Sequence, residues 1–214
     1  MNVLVAGHTG LTGAFLVDQL LENPKITRVL TWGRRPLERQ TEKLVHLGFM
    51  EGSNPQIPSV SIAFCTLGTT IRKAGSREAF KDVDVRLVSD FAHFARQCGA
   101  RYFVLQSSVG ADKPRGNFYL SCKAEAEKLC ASLGFEGVYI VRPSILGGRR
   151  SEFRFGERIG LALMRAMNGL IPKRYRVVEA STVASAMVGL GLSQTPGVWI
   201  KESEDLADLA RLAS

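Results

Sequence analysis

The sequence predicts an α/β protein with a doubly wound parallel Rossmann sheet and a small C-terminal lobe. Strands and helices alternate along most of the chain, which is typical of a parallel sheet covered by helices. The strands are short and nearly all apolar, as expected where both faces of a sheet are buried. The motifs with chemical character directly follow strands. Because such sheets bind ligands outside the carboxyl ends of their strands, these motifs should meet in one site.

The alternation of elements can be followed segment by segment. Strands are expected at residues 2–6, 28–32, 44–47 (weakly), 61–66, 102–106 and 138–142, with a further short one at 176–178. Helices are expected at residues 11–23, 78–97, 118–133, 157–167 and 182–192, with a last one from Glu204. The 214 residues fit one domain, 1–214, in which the C-terminal lobe spans about 144–214.

Composition excludes several classes of protein. A hydrophobic fraction of 45% and a charged fraction of 22% are ordinary globular values and argue against disorder. The four cysteines form no CxxC pair or Cys/His cluster, which predicts buried thiols in a reducing cytosol and no metal site. With no signal peptide and no apolar run of about 18 residues, we expect a soluble cytoplasmic protein without a membrane span.

The net charge of +8 suits a cleft that holds a polyphosphate. No aromatic-interleaved basic stripe is present, so specific nucleic-acid recognition is not expected. The positive residues are scattered, and the densest groups are Arg34/Arg35, Arg72/Lys73/Arg77 and Arg149/Arg150/Arg154.

A glycine-rich turn follows the first strand and opens the first helix. It reads Gly7-His8-Thr9-Gly10-Leu11-Thr12-Gly13. Glycines allow a tight turn and close approach of a pyrophosphate, while the helix N-terminus offers free N–H groups. The two threonines add hydroxyl donors, and His8 is expected to be a loop residue without chemistry. The strand–turn–helix context therefore predicts a dinucleotide site.

Arg34 and Arg35 follow the second strand, where an NAD site places a carboxylate for the ribose 2′-hydroxyl. Guanidinium groups pair bidentately with phosphate. The cofactor is therefore predicted to be NADP(H).

Two further motifs indicate acid–base chemistry. Tyr119 and Lys123 form YxxxK, and residues four apart share one helix face. A neighbouring cation favours the phenolate, which makes Tyr119 a usable general acid or base. Ser107 and Ser108 end the strand before that helix, where a hydroxyl can hold a carbonyl oxygen. After the 61–66 strand, Gly68 lets the backbone lie close to a nicotinamide.

Together the motifs resemble the short-chain dehydrogenase/reductase superfamily over nearly the whole chain. More narrowly, the sequence is similar to the atypical Tat-interacting-protein oxidoreductase group. The segments that carry this resemblance are GHTGLTG, TWGRRPL, FCTLGTTIRKAG, QSSVGADK, YLSCKAEAE and VRPSILGGRRSEFR. The resemblance implies a cofactor site made of Thr9, Gly10, Leu11, Thr12, Arg34, Arg35, Leu67, Gly68, Tyr119, Lys123, Leu146 and Arg154.

The resemblance also implies Tyr119 as proton donor, with Lys123 beside it and Ser108 (or Ser107) as the partner of a carbonyl. The expected activity is NADPH-dependent reduction of a small-molecule carbonyl. Two alternatives stay open. One is a non-catalytic NADPH-binding regulator or partner-binding protein, and the other is a nucleotide-sugar epimerase-like enzyme, against which the short C-terminal lobe argues. The helices at 78–97 and 118–133 offer surfaces for a homodimer.

Overall fold

The computed structural model describes residues 1–39, 41–49, 57–147 and 172–213. Its strands are β1 (Asn2–Ala6), β2 (Arg28–Trp32), β3 (Leu44–Gly48), β4 (Ile62–Cys65), β5 (Tyr102–Gln106), β6 (Gly137–Arg142), β7 (Leu146–Gly147), β8 (Val178–Glu179) and β9 (Gly197–Glu202). The α-helices within these ranges are α1 (Leu11–Glu22), α2 (Ile71–Ala74), α3 (Arg77–Lys81), α4 (Leu87–Gln97), α5 (Phe118–Ser132), α6 (Ala180–Ser193) and α7 (Leu206–Ala213).

Seven of these strands form one parallel sheet in the order β3-β2-β1-β4-β5-β6-β9. The chain leaves β1 toward β2 and β3, and then crosses back to place β4 on the other side of β1. The strand order thus reverses beside β1, and at such a switch point doubly wound sheets bind ligands outside the carboxyl ends of their strands. The predicted doubly wound α/β fold is confirmed.

Both faces of the sheet are covered, and the alternation of side chains explains how. In β1, Val3 and Val5 belong to the core under α1, α6 and α7, whereas Leu4 and Ala6 belong to the core under α4 and α5. Side chains alternate across a strand, so a strand covered on both faces needs apolar residues at every position. The short apolar strands thus contribute to two hydrophobic cores, one on each face of the sheet.

The helix predicted at 78–97 is present but interrupted. Between α3 and α4 lies one stretch of π-helix, Asp82–Arg86. Such turns are rare and often occur at functional sites. The sequence pattern does not reveal the π-helical turn, because the α-helices on either side of it keep the usual spacing of apolar residues.

The C-terminal segment differs most from expectation. The short β7 and β8 pair with each other outside the main sheet. By contrast α6 packs on the main sheet, and β9, which the sequence analysis missed, pairs with β6 and extends that sheet. The predicted helix 157–167 and the residues Arg149, Arg150 and Arg154 lie outside the described residues. Within the described ranges, no helix has the length and apolar character needed to cross a membrane.

Candidate functional site

The glycine turn packs tightly against the end of β4. Gly7 has φ +81°, and its carbonyl oxygen accepts a hydrogen bond of 2.8 Å from the Gly10 N–H. A Cβ on Gly7 would lie 2.5 Å from the Thr66 carbonyl carbon, and one on Gly13 only 2.1 Å from the Gly7 oxygen. No side chain fits at either position, so these two glycines let the turn and β4 meet.

Gly10 has a different role in the same turn. It is exposed, its φ of −78° is open to any residue, and a Cβ there would lie 3.1 Å from the Gly7 oxygen. Gly10 caps α1 without a side-chain hydrogen bond, so the helix presents backbone N–H groups and the positive end of its dipole at an open surface. The buried Thr12 Oγ1 lacks a hydrogen-bond partner among the described residues. This donor set fits the pyrophosphate of a dinucleotide.

His8 links the glycine turn to the loop after β2. Its ring is 2% exposed, and Nε2 lies 2.8 Å from the Arg35 carbonyl oxygen. Because a carbonyl oxygen only accepts, Nε2 carries the hydrogen. Burial lowers the pKa of His8, against the opposing effect of this hydrogen bond, so the neutral ring is favoured. The loop residue of the sequence analysis therefore acts as a structural tie.

Arg34 and Arg35 stand exposed at the carboxyl end of β2. Within the described ranges, neither guanidinium takes part in an ion pair. The His8 hydrogen bond fixes the backbone of Arg35 beside the turn that opens α1. The structure thus brings the predicted phosphate-binding residues of the two motifs to the same edge of the sheet.

Tyr119 and Lys123 lie in the first half of α5, whose N-terminus is capped by Asn117. The Asn117 Oδ1 accepts a hydrogen bond of 3.1 Å from the Leu120 N–H. Lys123 Nζ is 5.9 Å from the centroid of the Tyr119 ring, and that ring also packs on Phe80. The two side chains are neighbours, as the helical spacing predicts.

Asp84 is the site residue that the sequence analysis missed. It is fully buried in the π-helical stretch, and its Oδ1 lies 2.7 Å from Lys123 Nζ. Its Oδ2 accepts a hydrogen bond of 2.8 Å from the Thr69 N–H, in the loop after β4. A carboxylate midway between the buried Phe80 and Val88, four residues from each, is the signal that could have indicated it.

The Asp84 carboxylate is the strongest of the groups that favour the charged form of Lys123. Burial lowers the pKa of Lys123, but the attraction and hydrogen bond of Asp84, together with smaller effects of Tyr119 and Cys65, outweigh burial, and the pKa stands above the usual lysine value. Lys123 is therefore a buried, paired cation. It lies beside Gly68, because a Cβ on that residue would be 3.4 Å from both Lys123 Nζ and Asp84 Oδ1.

The remaining predicted positions are placed less fully. Ser107 is buried and its Oγ has no hydrogen-bond partner within the described part of the chain, whereas the Ser108 Oγ contacts the Val109 carbonyl oxygen at 3.4 Å. The choice between the two serines stays a prediction. Leu146, in β7, is half-buried and packs against the core beneath α1 and α6. Arg154 lies outside the described residues.

A parallel sheet whose strand order reverses at β1, and a glycine turn that opens a helix there, define a Rossmann protein of the NAD(P)-binding class. Residues 3–182 match the sequence profile described as "NAD dependent epimerase/dehydratase family". The chain belongs to this family, an extended branch of the short-chain dehydrogenases/reductases.

Individual relatives agree with this assignment. "Protein fmp52-1, mitochondrial" from Aspergillus oryzae is 30% identical, over 96% of this chain and 95% of that protein. "Protein HTATIP2" from Rattus norvegicus is 32% identical, over 87% of this chain and 79% of that protein. The resemblance to the Tat-interacting-protein group is confirmed.

Solved structures show the same fold. MoeE5 in complex with UDP-glucuronic acid and NAD superposes with a TM-score of 0.71 at 20% identity, over 99% of this chain and 82% of MoeE5. The UDP-glucuronic acid 4-epimerase from Bacillus cereus, in complex with NAD, gives 0.65 at 12% identity, over 95% of this chain and 78% of that one.

The expectation of a cytoplasmic protein is contradicted by these relatives. Several of them, from different Aspergillus species, are named mitochondrial. The prediction rested on composition and on the lack of a long apolar segment. These features do not specify the compartment in which a protein resides, which explains the error.

Proposed function

We propose that this protein is an NADP(H)-dependent oxidoreductase that reduces a small-molecule carbonyl. The observation that carries the proposal is the pairing of Tyr119 with a charged, buried Lys123 at the carboxyl edge of the sheet. A tyrosine hydroxyl held in such a place can act as the general acid for a carbonyl oxygen bound next to it. Family membership supports an NAD(P)-dependent enzyme, and the choice of NADP(H) and of reaction is proposed from the residues.

The glycine turn and its neighbours would hold the cofactor. The backbone N–H groups at the start of α1 suit the pyrophosphate, and the exposed Arg34 and Arg35 suit a phosphate on the adenosine ribose. Lys123 would contact ribose hydroxyls, and Gly68 leaves room for the nicotinamide half. The proposed set is Gly7, Thr9, Gly10, Leu11, Thr12, Gly13, Arg34, Arg35, Leu67, Gly68, Tyr119, Lys123, Leu146 and Arg154.

When bound, the nicotinamide would supply a hydride to the carbonyl carbon. The residues of the chain do the rest. Tyr119 donates a proton from its hydroxyl to the carbonyl oxygen, and Lys123 stabilises the phenolate that remains. Ser108 orients the carbonyl by a hydrogen bond, or else Ser107 does, whose buried hydroxyl has no partner among the described residues.

Tyr119→Phe tests the proposal by removing the proton donor alone. We expect carbonyl reduction to fall by about 10²–10⁴, because general acid catalysis contributes on that order. NADPH affinity should stay within roughly tenfold, since the loss falls on the transition state. The assay is NADPH oxidation against aldehydes, ketones and quinones, with affinity measured by calorimetry. Tyr102→Phe, at the opposite end of the sheet, is the matched control.

Unchanged turnover in Tyr119→Phe would contradict the assigned role. If the native protein binds NADPH but turns over no compound, the protein is an NADPH-binding regulator. The family description also favours one further candidate, an epimerase-like enzyme acting on a nucleotide sugar with a retained cofactor. Incubation with UDP-sugars distinguishes the two activities. Epimerisation converts the sugar with no net oxidation of the cofactor, whereas carbonyl reduction consumes NADPH.

A further inference from the structure

The Asp84–Lys123 pair is built into three elements. Asp84 comes from the π-helical stretch, Lys123 comes from α5, and the Thr69 N–H that Asp84 accepts comes from the loop after β4. The side chains are 0% and 8% exposed, so water does not screen their 2.7 Å contact. An ionised pair in such a place requires that each charge be compensated by the other.

Two other titratable groups among the described residues face Lys123, and the charge effect of each on its pKa is smaller than that of Asp84. Tyr119 faces it from α5, with Nζ 5.9 Å from the ring centroid. Cys65 faces it from the end of β4, and burial raises the pKa of this thiol to about 12, which keeps it protonated. Among the described residues, Asp84 is thus the carboxylate that pairs with Lys123.

We propose that Asp84 is a positioning residue that keeps Lys123 charged at the base of the cofactor site and ties that charge to the loop bearing Gly68 and Thr69. The inference rests on the proposed function for the identity of the site. The link between Asp84 and Lys123 rests on the contacts given above. A buried lysine without a partner loses its proton readily. With Asp84 present, the cation beside Tyr119 and the cofactor ribose stays constant across the neutral and alkaline range.

Asp84→Asn isolates the charge, because the amide oxygen can still accept from the Thr69 N–H. Asp82→Asn is the matched control. It makes the same substitution in the same π-helical stretch, at a half-exposed carboxylate that pairs with Arg86. The first readout needs no cofactor: the protein is prepared with lysine labelled with ¹³C at Cε, and each lysine is titrated by NMR. The Lys123 signal is assigned by its loss in Lys123→Arg.

In the native protein and in Asp82→Asn we expect Lys123 to titrate above the exposed lysines. In Asp84→Asn it should titrate below them, since the largest effect that opposes burial is then removed. A native Lys123 that titrates with or below the exposed lysines overturns the proposal, and this result needs no variant to fold. An Asp84→Asn protein in which Lys123 titrates as it does in the native protein also overturns the proposal.

The second readout is the dissociation constant of NADPH from pH 6.5 to 9. The ratio of the Asp84→Asn constant to the native one should rise with pH by about tenfold, as Lys123 loses its proton in the variant alone. A merely structural role would give a ratio that does not change with pH, and that result overturns the coupling to the site. If the native protein does not bind NADPH at all, the proposed function fails, and the NMR titration still decides the role of Asp84.

Discussion

His8 joins the glycine turn to the loop after β2 through a single buried ring, by its 2.8 Å hydrogen bond to the Arg35 carbonyl oxygen. Burial lowers the pKa of His8 in the folded protein, while the unfolded chain protonates near the ordinary value of about 6.5. Below this value the unfolded state binds more protons than the folded state does. The stabilisation is therefore complete above about pH 6.5 and is lost as the pH falls toward the folded pKa.

His8→Asn tests this dependence while keeping a side-chain N–H donor. We expect the free-energy difference of unfolding between native protein and variant to shrink as the pH falls from 7.5 to 5.5, as measured by urea denaturation. His93→Asn, at an exposed histidine of α4, is the control for the substitution itself. A His8→Asn difference that is constant with pH would show that the ring is not protected from protons.

Local spacing was enough to predict some contacts of the candidate site and not others. Tyr119 and Lys123 are four apart on one helix, and the glycine turn is a continuous segment, so both were predictable. Asp84 was not, because its partners Lys123 and Thr69 are brought to it only by the packing of α5 and the β4 loop. Likewise the contact of His8 with Arg35 depends on the neighbouring positions of β1 and β2.

At the scale of elements, different glycines of the same turn are expected to serve folding and cofactor binding. Gly10→Val should abolish NADPH binding with the fold largely kept, because Gly10 is exposed and has an ordinary φ, although its Cβ would lie 3.1 Å from the Gly7 oxygen. Gly13→Ala should instead destabilise the fold by about 1–3 kcal/mol, since its Cβ would meet the Gly7 oxygen at 2.1 Å. Calorimetry and thermal denaturation measure the two effects. Normal NADPH binding by Gly10→Val would show that this turn is not the phosphate site.

The strands and helices were predictable where the apolar residues follow one clear pattern along the chain. The strands β1 to β6 follow from short apolar runs between turns. In contrast β9 was missed because it lies at an edge of the sheet, where Val198, Trp199 and Ile200 stay about half exposed and no alternation marks a buried face. Its signal was the run of β-branched and aromatic residues after Pro196-Gly197.

At the scale of the whole molecule, a buried ionic cluster fastens β9 to the rest of the sheet. Arg142, at the end of β6, binds both carboxylate oxygens of Glu127, at 2.9 and 2.6 Å. Its third contact, at 3.0 Å, is to Glu202 at the end of β9. These hydrogen bonds raise the pKa of Arg142 still further above the usual range, so the cation is permanent.

Arg142→Met should destabilise the protein by about 3–5 kcal/mol, because it leaves the buried Glu127 carboxylate without a counter-charge. Adding Glu127→Gln should recover part of that loss. Arg39→Met is the control, since the Arg39–Asp18 pair is about half exposed and such pairs contribute about 0–1 kcal/mol. Urea denaturation measures all three, and a loss in Arg142→Met no greater than in the control would contradict a structural role for the cluster.

The central claim is that the carboxyl edge of the sheet binds NADP(H), with Arg34 and Arg35 as the phosphate partners. Calorimetric titration of NADPH and NADH into the native protein and Arg34→Asp tests it most directly. We expect NADPH to bind the native protein at least about tenfold tighter than NADH, or about 1.4 kcal/mol, and the variant to lose or invert this preference. Equal affinities for the two cofactors in the native protein would contradict the account.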